Sequence, residues 1–143
     1  MERTRLWFAR LVMAYALLIF SFGSWLYIAE PLEHIAHFGI GASGAPESVN
    51  FLRAGPGALF LSMALFAAGG LLRPAWLRHC LLVLVIINAC VVAVRLLGIG
   101  LEGITPVQLS ELRNEGLSWL LFLGALLACP TASQATVGDS PRP

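Results

Sequence analysis

The stretch VNFLRAGPGALFLSMALFAAGGLL, residues 49–72, decides the class of this fold. From Phe51 to Leu72 it is almost uninterruptedly apolar, and as a helix rising ~1.5 Å per residue it extends far enough to cross a hydrocarbon core of about 30 Å. Its head is different. Asn50 and Arg53 stand in the first turns, and Gly55-Pro56-Gly57 follows at once. Such residues cost stability in an apolar helix, so each needs a partner or a task.

Outward from this stretch the same pattern repeats. Apolar runs cover 6–29, 77–101 and 117–129, separated by short polar segments. The first two are long enough to span a bilayer. The last becomes so only if its helix starts near Thr105 and takes Gln108, Glu111, Arg113, Asn114 and Glu115 with it. Of the 143 residues, 58% are hydrophobic and only 12% charged, against about a quarter charged in soluble domains. The mean hydropathy is +0.81, more apolar surface than a water-soluble fold of this size can hide. A net charge of +1 gives no reason to expect nucleic acid as a partner.

The sequence therefore predicts an all-α, integral-membrane four-helix bundle, antiparallel and up-down-up-down. Its helices lie near 6–29, 50–72, 76–99 and 106–129 within a transmembrane domain of residues 1–129, and 130–143 follows as a disordered cytoplasmic tail. The first run exceeds the roughly 7–15 apolar residues of a secretory signal and reads as a retained helix. Four crossings place Arg3, Arg5, Arg10, Arg73, Arg78 and Arg142 on one side with Glu2 and Asp139, six positive against two negative, net +4. The other side holds Arg53, Arg95 and Arg113 with Glu30, Glu33, Glu47, Glu102, Glu111 and Glu115, three against six, net −3. The excess of arginine predicts that both termini are cytoplasmic.

Local signals agree with these limits. Arg73-Pro74 breaks the chain between the second and third helices. Thr105-Pro106-Val107-Gln108 reads as a helix start, with Thr as N-cap and Gln reaching back to it. Cys80, Cys90 and Cys129 have no CxxC spacing and read as small apolar filler.

On this topology Asn50, Arg53, Arg95, Glu111 and Glu115 fall at one, non-cytoplasmic end of the bundle. Two arginines among glutamates form a neutral hydrogen-bonded cluster, and Arg53 is expected to pair with Glu115. Ala54, Ala58 and Ser62 supply a seam of small residues, Gly57 a close approach, and Asn88 an interhelical hydrogen bond. Such a cluster can fix helix register, line a pocket, or consist of arginines snorkelling to the headgroups. A second constellation, EPLEHIAHF, sets Glu30, Glu33, His34 and His37 on one face of a short helix opened by Pro31. Glu30, His34 and His37 are the candidate metal ligands, but the spacing matches no metal signature, and neither metal nor cofactor is expected.

The motifs NFLRAGPGALFLSMALF and RLLGIGLEGITP, followed by a glutamate in the last helix, resemble the bacterial membrane-protein family called domain of unknown function 4345. Asn50, Arg53, Ala54, Gly57, Arg95, Glu102, Gly103 and Glu115 match its pattern. Ala58 stands where a second glycine is usual, and Pro56 is a local departure. The resemblance covers roughly residues 6–128, omits His34 and His37 from its pattern, and implies four membrane helices but no activity.

No nucleophile motif or phosphate loop argues for an enzyme. The expected function is a non-catalytic structural or accessory membrane module in the lipid bilayer, with an amphiphilic small molecule or another membrane protein as partner. The alternative is a lipid- or quinone-like ligand-binding protein, or a membrane enzyme, that uses the polar cluster as its pocket.

Overall fold

The computed structural model describes residues 2–129, and the expected tail at 130–143 lies outside them. Among the described residues the structure is helical, without strands. It comprises α1 (Glu2–Ala29), α2 (Pro31–His37), α3 (Pro46–Leu52), a π turn (Arg53–Gly57), α4 (Ala58–Leu72), a 3-10 turn (Pro74–Trp76), α5 (Leu77–Glu102) and α6 (Pro106–Ala128). Three helical segments, Arg3–Ala29, Pro46–Leu72 and Pro74–Glu102, are long and apolar enough to cross a membrane. Helix α6 has the length, with 23 residues, but carries Glu111, Arg113 and Glu115 in its first half.

The second long segment starts at Pro46, four residues before the expected helix start. Pro46 takes the first helical position, where its missing N–H is no loss, and Glu47 favours the positive end of the helix dipole. Pro56 then leaves the carbonyl of Leu52 without its usual donor. The chain widens by one residue, and the N–H of Ala58 reaches back five residues to the carbonyl of Arg53. Helix α5 continues to Glu102 and stops at Gly103, whose φ of 91° few other residues adopt. The start of α6 is as expected: Thr105 Oγ1 accepts from the N–H of Gln108 at 3.2 Å, and Gln108 Oε1 accepts from the N–H of Thr105 at 2.9 Å.

The chain forms two compact units, residues 14–68 and residues 1–13 with 69–143. In the first, the second half of α1 runs antiparallel to the π turn and α4. Arg53 Nε donates to the carbonyl of Ile28 at 2.9 Å, Ser24 Oγ donates to that of Gly57 at 3.1 Å, and Phe60 packs on Phe20 and Tyr27. In the second, α5 and α6 make an antiparallel hairpin. Arg78, in the first turn of α5, donates to the carbonyls of Leu126 and Cys129, both at 3.1 Å, at the end of α6. Two helix ends thus have their last carbonyls satisfied by an arginine from a neighbour, where the dipole also favours positive charge.

Each long helix buries one stripe at helical spacing: Ala9, Val12, Met13, Ala16, Phe20 and Ser24 on α1, and Leu77, Cys80, Leu81, Leu84, Val85 and Asn88 on α5. The opposite faces are apolar as well. Leu18 is 70% exposed, Phe22 64% and Val94 68%.

Candidate functional site

Within the hairpin, the connection 103–105 is short, so residues about two turns either side of it come level. Arg95 on α5 and Glu115 on α6 meet there as a two-pronged ion pair, Nε to Oε2 and Nη2 to Oε1. The side chains are 29% and 20% exposed. Such a pair cancels two charges that would otherwise oppose placing α6 in an apolar medium.

This partner corrects the expected pairing of Arg53 with Glu115. The carboxylate is engaged by Arg95 because hairpin register delivers it, whereas Arg53 is exposed and spends its Nε on the end of α1. Asn50 is exposed and Glu111 half-buried, and neither has a hydrogen-bond or ionic partner among the described residues. Asn88 is buried, but its amide donates to the carbonyl of Leu84 at 2.9 Å, one turn back on its own helix, where an interhelical bond was expected. The expected seam of Ala54, Ala58 and Ser62 lies on an exposed face, and the Ser62 hydroxyl donates to the carbonyl of Ala58. Gly57 is buried, with Ile28 Cγ1 and Tyr27 Cβ at 3.3 and 3.4 Å from where its Cβ would stand.

His34 and His37 serve aromatic contacts. The His34 ring meets Tyr27 edge-on at 4.6 Å and Phe38 at 5.1 Å, and His37 meets Phe38 at 5.7 Å. Among the described residues no three metal-ligating side chains gather, so Glu30, His34 and His37 do not form a coordination set there.

Two features of the hairpin were not foreseen. An open cavity of about 450 Å³ lies along α5, lined by Cys90, Val91, Val94 and Arg95. The indole N–H of Trp119 is buried without an acceptor among the described residues. Stepping one turn from the Arg95–Glu115 pair on both helices puts Trp119 level with Val91. Only the three-dimensional burial reveals this orphaned donor.

No protein-family model matches the chain, and neither does any curated protein or solved structure. The resemblance drawn from the motifs therefore stands on those residues alone.

Proposed function

We propose that the chain is a small, non-catalytic structural or accessory module of the bacterial cytoplasmic membrane, crossing it four times as an antiparallel up-down-up-down bundle of the kind the motif resemblance implies. One observation carries this reading: the exposed faces of the long helices are as apolar as their buried stripes, with Leu18, Phe22 and Val94 turned outward. Water gives such faces no reason to exist, and lipid does. For α6, the fourth crossing, the support is its antiparallel pairing with α5 and the neutralisation of Glu115 by Arg95.

Arginine asymmetry supports cytoplasmic termini. Alkaline phosphatase fused after Gly44 is expected to be active in the periplasm, and the same enzyme fused after Arg73 inactive. The reverse pattern would overturn the orientation, and a chain released from membranes by carbonate washing would overturn the membrane reading itself.

The open cavity along α5 beside Arg95 favours a second reading, a site for a lipid- or quinone-like amphiphile carrying a polar acceptor. Native mass spectrometry from mild detergent separates the two. A stoichiometric small molecule lost in Val94→Trp, which fills the cavity from its exposed wall, establishes the pocket. An unliganded protein whose stability is unchanged by Val94→Trp leaves the structural module.

A further inference from the structure

The arginines of the unit formed by residues 1–13 and 69–143 are not used alike. Arg95 holds Glu115, and Arg78 holds the end of α6. Arg3, Arg5 and Arg73 are exposed and Arg10 is half-buried, and none of these four has a carboxylate partner among the described residues.

Two of them, Arg10 and Arg73, lie on the same side of one packing contact. An added Cβ on Gly70 would stand 2.9 Å from Met13 Cε and 3.1 Å from Cys80 Cβ, so the early part of α1, the end of α4 and the start of α5 touch there. Arg10 lies one turn from this contact toward the start of α1, and Arg73 one turn beyond it at the end of α4. Arg73 is held with its guanidinium carbon 4.6 Å from the centre of the Trp76 ring. Trp7 and Trp76 are 54% and 51% exposed beside these charges.

We infer that Arg10 and Arg73, flanked by Trp7 and Trp76, bind the headgroup phosphate of an anionic phospholipid. The inference rests on the membrane reading above and goes beyond it. Like charges brought together without a counter-charge repel, and a phosphate accepting from two guanidinium groups turns that repulsion into charge-assisted hydrogen bonding. The exposed indoles select a lipid over a soluble anion, because amphipathic rings settle at headgroup level and the neighbouring surface of Phe8 and Leu11 is apolar.

The test uses the full chain in nanodiscs of phosphatidylcholine with and without phosphatidylglycerol, followed by native mass spectrometry of the retained lipid. The wild type is expected to retain phosphatidylglycerol preferentially. Arg10→Gln and Arg73→Gln should each weaken that preference about fivefold, corresponding to ~1 kcal/mol per arginine near an anionic surface, and raised salt should weaken it too. Arg73→Lys, which keeps the charge, should retain most of it. Arg113→Gln, which removes an exposed arginine on α6, should leave it intact. Equal preference in the wild type and in the Arg10/Arg73 double variant, with both as thermally stable as Arg113→Gln, would overturn the inference. Displacement of the lipid by inorganic phosphate alone would overturn it as well, in favour of a soluble-anion site. Entry into the discs without any preference sinks only this inference, whereas failure to enter any disc sinks the membrane reading.

Discussion

Arg95→Leu and Glu115→Leu are each expected to lower the stability of the chain in detergent by about 3 kcal/mol, and the double substitution to recover most of that loss. Removing one member strands the other charge half-buried between α5 and α6, while removing both leaves two leucines in contact. The low end of the usual range of about 3–5 kcal/mol applies, because 29% and 20% of the two side chains remain exposed. Arg95→Lys should recover little, since an ammonium cannot reproduce two parallel donors on one carboxylate. Titration with a denaturing detergent measures each variant. Arg53→Leu supplies the contrast: it removes a single bond to the carbonyl of Ile28, worth about 1 kcal/mol, and its effect should add to that of Glu115→Leu. Additive losses for Arg95 and Glu115, or strong coupling between Arg53 and Glu115, would refute the pairing.

That contrast marks where the sequence can and cannot be read. Apolar run length located three of the long helical segments, since a run long enough to cross a bilayer is a signature that neighbours do not alter. Thr105 and Gln108 were equally legible, because a capping box closes within four residues. Pro46 at the first helical position is a local signal as well, and it starts the segment four residues before the expected boundary. Partner choice among Arg53, Arg95 and Glu115 was of another kind. It depends on the angle at which each side chain leaves its helix and on the register between helices, and spacing within one helix reports neither. A short connection such as 103–105 is the one sequence feature that favours α5 over the other helices as the partner of α6, and it favours Arg95. Asn88 is a parallel case, for an amide in an apolar helix can place a donor on the carbonyl one turn back on its own helix.

Glycine packing is the remaining part that spacing hides, and Gly23 is where its effect should be largest. An added Cβ there would stand 2.9, 3.1 and 3.3 Å from three atoms of the Phe60 ring. The ring has little room to retreat, since it stacks on Tyr27 with centroids 5.7 Å apart and lies 6.0 Å from Phe20. Gly23→Ala should therefore cost about 1–3 kcal/mol of stability, outweighing the ~1 kcal/mol by which alanine favours a helix. Gly116→Ala on α6 is the counterpart. Nothing stands within 4 Å of its added Cβ, so the helix preference acts alone and stability should rise by about 0.5–1 kcal/mol. Phe60→Leu should be less harmful in the Gly23→Ala background than in the wild type, because the smaller side chain yields the space the new methyl needs. Equal effects of Gly23→Ala and Gly116→Ala in the same detergent titration would mean that α1 and α4 do not approach at this point. The opposite signs expected here would place the close contact at Gly23, a position that no motif distinguishes from the other glycines of the chain.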